Sequence, residues 1–339
     1  MAERTTDAGS SAPLSVGGAR RISRARTTRD RALETELTRI EQQGGDGTLR
    51  LADDVVLDVG NLDKLYFNAA GRSKGDVMRY YVRVGRVLLP LIADRPLILK
   101  RHPDGIDGKS FFQHEAPDDV PAGVRVERVP AADGRLGRRF VGGNLATLLY
   151  CVQLGAIAVK PWHSRVGSLD HPDYLIFDLD PGERAPFALV VDVALRVREA
   201  LEGRGVTAAV KTSGASGLHL YVPLRPGVTS EQAHEWARGV AEEVSASAPR
   251  EATVERALKA RSAKSVYVDY VQNVTGKSVA APFSVRARPG ATVSMPLAWH
   301  ELEGVGLDPT QFTIDTTDAE LAARARVWRA AMRRKNRLD

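Results

Sequence analysis

The chain has 339 residues, of which 43% are apolar and 27% charged, with the single cysteine Cys151. That composition excludes a disulfide scaffold and a low-complexity fibre, and the length allows one large domain or two modest ones. No apolar run approaches the ~20 residues of a membrane span, and no secretory leader opens the chain, so a cytosolic protein without a membrane partner is expected.

The formal charge of +6 is unevenly spread. Residues 1–31 hold seven arginines against three acids, and residues 321–339 hold six arginines and a lysine against one aspartate. The stretch between is acidic overall. Basic terminal arms either follow phosphate backbones or serve as solubilising tails, and charge alone does not choose.

In chain order, residues 1–27 are rich in Ser, Ala, Gly, Thr and Arg and are predicted disordered. "RDRALETELTRIEQQGG" predicts a short charged helix that stops at Gly44–Gly45. The folded part then opens with a hairpin, "TLRL-ADD-VVLDV". From residue 174 the pattern sharpens. "YLIFDLD" is a strand, and "PFALVVDVALRVREALEGRG" a helix with Pro186 near its start and Gly203 past its end. "VTAAVK" is a second strand, "TSGASG" a turn and "LHLYVPL" a third strand. "TSEQAHEWARGVAEEVSAS" is a helix capped by Thr229 or Ser230, a helical stretch covers 251–260, and "SVYVDYVQN" is a fourth strand. "RARVWRAAMRRKNR" forms a closing helix that either lies along DNA or packs on the body.

The order β-α-β-β-α-β is that of a ferredoxin-like split unit, with the first strand flanked by the third and fourth and both helices on one face. Side chains alternate along strands. Leu175, Phe177, Leu179, Leu218, Leu220, Val222, Val266, Val268 and Tyr270 therefore belong under the helices. The other face, expected to be uncovered, collects Asp178, Asp180, His219, Tyr221 and Asp269. Carboxylates that close raise each other's pKa unless a cation sits between them. Three aspartates make an all-oxygen set for hard cations, and two Mg²⁺ or Mn²⁺ ions would activate a hydroxyl nucleophile and stabilise a leaving phosphate oxygen. "KTSGASG" offers backbone N–H groups and hydroxyls to a triphosphate. Dehalogenase-like phosphatases also carry Asp-x-Asp after a strand, but with Thr or Val where Gly182 stands; glycosyltransferases carry it on doubly wound folds, which this element order disfavours.

"DYLIFDLDPG", "KTSGASGLHLYVPL", "YVDYVQN" and "APFSVRARPGATVSMPL" together closely resemble the polymerase domain of bacterial end-joining ligase D, in the archaeo-eukaryotic primase superfamily. "NLDKLYFNAAGRSKGDVMRYY" and "KRHPDGIDGKSFFQHEAP" extend the likeness over residues 47–315. It implies an α+β primase-polymerase fold. Residues 1–46 would be a disordered basic arm and short helix. Residues 47–315 would be the catalytic domain, with an α/β module at 47–165 and a metal-binding unit resembling the RNA-recognition fold at 170–290. Residues 316–339 would be a basic helix. The chain reads as a stand-alone relative.

The resemblance also implies roles. Asp178, Asp180 and Asp269 would hold two Mn²⁺ or Mg²⁺ ions, with Asp269 completing the ion that activates the primer 3′-hydroxyl. Ser213, His219, Gln272 and Arg286 would surround the incoming nucleotide, NTP or dNTP. Asn61, Lys64 and Lys74 would grip a 5′-phosphate downstream of a gap or break, chemistry that suits two cations and an amide. Phe111 and Phe112 would pack on template bases; as neighbours on a strand, one ring is expected in the core and one exposed. Two residues depart from the family pattern: Lys160 stands where a histidine is usual, and Ser216 where the turn usually has lysine. Lys160 is therefore expected to replace part of the charge lost from the loop.

The function implied is template-directed, divalent-metal-dependent extension of primers in gapped or broken DNA, accepting or preferring ribonucleotides, by a monomer at the bacterial nucleoid. Ku and a separate ligase would be its partners. A primase starting chains de novo and a non-catalytic end-binding module that recruits a ligase remain alternatives.

Overall fold

The structure, a computed structural model, describes residues 16–130, 134–304 and 306–338. Its N-terminal half begins with α1 (Val16–Gln42), followed by the hairpins β1 (Gly47–Arg50)–β2 (Val56–Val59) and β3 (Leu65–Phe67)–β4 (Arg72–Ser73). Then come α2 (Lys74–Leu88), β5 (Leu97–Arg101), β6 (Phe111–Gln113), the pair β7 (Val126–Pro130) and β8 (Leu136–Phe140), α3 (Leu145–Gln153) and β9 (Lys160–Pro161). The predicted helix at 29–45 is the second half of α1, which starts earlier than expected: residues 16–27, predicted disordered, are helical, in keeping with the high helix propensity of Ala and Arg. Residues 1–15 of the predicted disordered arm lie outside the described residues.

The second half supplies β10 (Tyr174–Pro181), α4 (Phe187–Glu202), β11 (Ala209–Thr212), β12 (Leu218–Pro223), α5 (Ser230–Ser247), β13 (Ala252–Thr253), β14 (Val266–Asp269), β15 (Pro296–Leu297), α6 (Trp299–Leu302) and α7 (Asp318–Ala331). The sheet order is β13-β14-β10-β12-β11-β15. Its four central strands are all antiparallel and run in the order of the β-α-β-β-α-β unit. The stretch predicted helical at 251–260 is instead the edge strand β13, parallel to β14, and one 3₁₀ turn at Leu258–Ala260. Thr253 is β-branched, and pairing with β14 outweighs the weak local helix preference.

Leu175, Phe177, Leu179, Leu218, Leu220, Val222, Val266 and Val268 are all buried in one cluster with Val190, Val193 and Val197 of α4 and Ala237, Val240 and Val244 of α5. Each such side chain contributes ~1.5–3 kcal/mol relative to exposure. Thr229 caps α5 in a reciprocal box with Gln232.

The opposite sheet face is not open along its whole length. Tyr174, Ile176, Ala209 and Tyr221 are buried there with Val279 and Trp328 of α7. The basic C-terminal helix is thus a packing helix over this part of the sheet. Arg324 is paired to Glu301 and Glu320, and Asn336 hydrogen-bonds Thr207 and Pro223. The N-terminal half closes the other side. Tyr80 and Tyr81 of α2 donate to the carbonyls of Phe283 and Ile157 (2.9 and 2.6 Å), and the Tyr81 hydroxyl accepts from the Val285 N–H. Ser284 Oγ accepts from the Val159 N–H, 2.8 Å. The contacts to residues 283–285 therefore join the two halves.

Candidate active site

In the ladder between β10 and β14, Asp178 is the direct partner of Asp269, and Asp180 projects from the same face two residues on. Each of the three carboxylates offers an oxygen within 4.8 Å of the others. Asp269 is buried and anchored: Oδ1 accepts from Tyr267 Oη (3.1 Å) and the Val271 N–H (2.9 Å), Oδ2 from Gln272 Nε2 (2.7 Å). Asp178 Oδ1 is buried without an aligned hydrogen bond among the described residues. Burial raises the Asp178 pKa, against the pull of Arg286, Lys211 and Lys160. The Asp178 charge, then burial, then Asp269 push Asp180 up to about 7. A buried carboxylate oxygen lacking a donor, in an all-oxygen set that resists full ionisation, fits a divalent cation.

The chain around this set is held by two devices. β14 ends at Asp269, yet the side chain of Asn273 continues its pairing: Oδ1 accepts from the Ile176 N–H (2.7 Å) and Nδ2 donates to the Ile176 carbonyl (2.8 Å). That amide fastens the turn carrying Gln272. On the other side, the "TSGASG" turn needs its glycines. Gly214 has φ +71°, and a Cβ on Gly217 would fall 2.0 Å from the Leu179 carbonyl oxygen.

Ser213 is buried, with Oγ accepting from the N–H groups of Ala215 and Gly217 (3.1 Å each), so it braces the turn and keeps one hydroxyl proton to donate. Arg286, half-buried, donates to the Ser213 carbonyl, and burial lowers its pKa. His219 Nε2 lies 3.2 Å from Asp178 Oδ1, and burial drives the imidazole's pKa well below its ordinary value, leaving it neutral. Ser216 is exposed at the turn. Lys160 is half-buried, close enough to Asp178 and Arg286 for both to act on its pKa, which burial lowers.

Asn61, Lys64 and Lys74 also come together. The Lys64 N–H donates to the Asn61 carbonyl (3.1 Å) and the Lys74 N–H to that of Lys64 (2.9 Å). Lys64 is paired to Asp104 at 2.8 Å. Lys74, in the first turn of α2, is buried and donates to the Gly60 carbonyl (2.7 Å); burial and then the nearby charge of Lys64 lower its pKa to about 8.

Phe111 and Phe112 correct the expected split between core and surface: both are exposed, at 48% and 55%. They lie on β6, the edge of the small sheet β6-β5-β9, and among the described residues no apolar layer covers either ring. Cations cover them instead. Arg101 Cζ is 5.2 Å from the Phe111 centroid, and Lys100 and Lys160 Nζ are each 5.8 Å from that of Phe112.

Two site residues escaped the sequence reading. Asn273 was legible as part of "YVQN" only as a strand residue. Lys211 is the cross-strand partner of His219, and its signal was available: counting back across the "TSGASG" turn puts it on the carboxylate face.

A carboxylate trio on an antiparallel β-α-β-β-α-β sheet, with lysine, arginine and a Ser/Gly turn around it, defines a nucleotidyltransferase site of the primase-polymerase class. Residues 73–328 match the model of the primase-polymerase domain of LigD, and the chain belongs to that family. It is 34% identical over 262 residues to the bifunctional non-homologous end joining protein LigD of Bacillus subtilis, covering 77% of this chain and 41% of that protein. It is 33% identical over 256 residues to the multifunctional non-homologous end joining DNA repair protein LigD of Mycobacterium tuberculosis H37Rv, covering 73% of this chain and 33% of the relative. The chain thus spans less than half the length of these curated relatives. Among solved structures, the polymerase domain from Mycobacterium tuberculosis ligase D in complex with DNA superposes with a TM-score of 0.75 at 31% identity, over 83% of this chain and 99% of that one. No described helix is long and apolar enough to cross a membrane.

Proposed function

We propose that this nucleotidyltransferase is a template-directed polymerase that extends a primer across short gaps or breaks in DNA during end-joining repair, and that it accepts ribonucleotides. The observation that carries this reading is the trio Asp178, Asp180 and Asp269, with oxygens within 4.8 Å and one of them buried without a donor. These three would hold Mn²⁺ or Mg²⁺. When bound, such ions activate a hydroxyl nucleophile and stabilise a leaving phosphate oxygen.

The chain's own groups have separate work. Gln272 and Tyr267 orient Asp269. Arg286, His219, Lys160 and the Ser213 hydroxyl supply charge and donors for a triphosphate, and Lys160 offers part of the cation missing at Ser216. Lys64 and Lys74 with Asn61 take a 5′-phosphate. Exposed Phe111 and Phe112 stack on template bases, each base–ring contact contributing ~1–3 kcal/mol with no sequence preference. The end-joining names of the relatives support the pathway; a Ku-like end binder and a separate ligase would be its partners there, at the nucleoid in the cytoplasm.

Extension of a labelled gapped duplex tests the reading, with and without a downstream 5′-phosphate, a primer, and ribo- or deoxynucleotides. Metal-dependent incorporation is expected, lost in Asp178→Asn and Asp180→Asn while binding to the gap survives. Incorporation by both variants would refute it. Synthesis without a primer would make the protein a primase, and binding without incorporation by the unaltered protein would make it an end-binding module.

A further inference from the structure

We propose that Lys211 is a positioning residue for His219: it holds the imidazole in the tautomer that carries its proton on Nε2, so the edge facing Asp178 is a hydrogen-bond donor to anionic oxygen and not a base. Lys211 and His219 are direct partners across β11 and β12, so both side chains point to the carboxylate face. Lys211 is completely buried, an uncommon place for lysine, and its Nζ lies 2.8 Å from His219 Nδ1.

The surrounding bonds decide the direction of that contact. Ser294 Oγ donates to the Thr212 carbonyl at 2.7 Å, so it meets Lys211 Nζ as an acceptor. The Thr212 carbonyl oxygen is itself 3.5 Å from Nζ. Ser294 Oγ and the Thr212 carbonyl take two of the N–H groups on Nζ, and an ammonium there directs its third at His219 Nδ1. Burial and then Arg286 pull the Lys211 pKa well below its usual range, and Asp178 pulls it back toward the ammonium form that the proposal requires. A neutral imidazole has one N–H; with Nδ1 accepting, the proton is on Nε2, which lies 3.2 Å from Asp178 Oδ1.

The consequence concerns the nucleotide site, and there it rests on the reading given above. An Nε2–H edge is a donor for a phosphate oxygen and cannot take a proton from the primer hydroxyl. It serves binding more than the chemical step.

The tautomer is read directly, without activity, by long-range ¹H–¹⁵N correlation on the metal-free protein labelled in its seven histidines, His219 being assigned by its loss in His219→Gln. The Nε2–H pattern is expected in the unaltered protein and in Ser294→Ala, which keeps the lysine. In Lys211→Met, which keeps the length and removes the donor, a mixture with the Nδ1–H form is expected. The nucleotide KM of that variant should rise about tenfold with kcat changed less than about threefold, the signature of lost binding. An Nδ1–H pattern in the unaltered protein, or an unchanged Nε2–H pattern in Lys211→Met, overturns the proposal. If Lys211→Met does not fold, the unaltered spectrum still decides. The expected tautomer in a protein that incorporates no nucleotide would sink the polymerase reading and leave this one standing.

Discussion

Asp178 and Asp269 face each other as direct partners across an antiparallel ladder, with Asp180 one pleat further along the same face. A ladder tolerates that pairing poorly, since like charges directly opposite repel. The fold compensates on one side only. Three donors hold Asp269, whereas Asp178 Oδ1 has none aligned on it. That asymmetry leaves Asp178 the carboxylate least satisfied within the protein, and it yields measurable consequences.

The repulsion should appear in stability. The charge of Asp178, then burial, push the Asp180 pKa up to about 7 in the folded protein, against an ordinary value of 3.8. Between those values the native state binds a proton that the unfolded chain has released, so stability falls as pH rises through the window. Asp180→Asn should therefore melt higher than the unaltered protein at about pH 8, by ~1–3 °C given solvent screening of this exposed group, with the gap closing toward about pH 4. Added Mg²⁺ should stabilise only the unaltered protein. Differential scanning fluorimetry across pH reads both effects; a variant that melts lower at alkaline pH contradicts them.

Lys74 predicts a pH-dependent grip on phosphate. Its pKa of about 8 lies below the ordinary lysine value because of burial. The unfolded chain keeps its proton up to about 10.5, so this group makes stability rise with pH between the two values, while the charge that would attract a phosphate disappears. The preference for gaps bearing a 5′-phosphate should fall as pH passes 8. Lys74→Met should lower the preference about tenfold at neutral pH and flatten its pH profile, measured by competition binding. A preference that does not change from about pH 7 to 9.5 would remove Lys74 from the pocket.

The charges of Arg286 and Asp178 both act on Lys160, which stands beside Phe112. Lys160→Ala should raise the nucleotide KM about tenfold or more, as expected for a charge-assisted contact. Lys160→His, restoring the usual family residue, should recover part of it. Steady-state kinetics on a gapped duplex decide; an unchanged KM in the alanine variant excludes Lys160 from the triphosphate.

Asn273 tests the mechanical support of the site. Replacing it with leucine strands the buried N–H and C=O of Ile176, each worth ~1–3 kcal/mol when left unpaired. Asn273→Leu should lower the urea midpoint and, by releasing the turn that carries Gln272, reduce incorporation even below the melting temperature. Full stability in this variant would mean the side-chain pairing is dispensable.

Much of the catalytic unit was readable because alternation in strands is strict. Eight of the nine side chains assigned to the helical layer lie in strands and are buried there. The ninth, Tyr270, already belongs to the turn after β14 and still packs against that layer. The same period put Asp178, Asp180, His219 and Asp269 together, and it would have added Lys211 had the hairpin been counted through its turn. Where no period acts, the reading failed. The edge strand β13 is two residues long, too short to show alternation, and was taken for helix.

By itself, then, the sequence determined which residues share a face, because that follows from backbone geometry between neighbours along the chain. Only the tertiary structure decided what lies across that face: that α7 and the N-terminal half close over it, that Lys74 is buried and Phe111 and Phe112 are not, and that Asn273 completes a ladder its own strand has left. Burial is a property of what packs from elsewhere in the chain, and local pattern carries no record of the distant segment that will arrive.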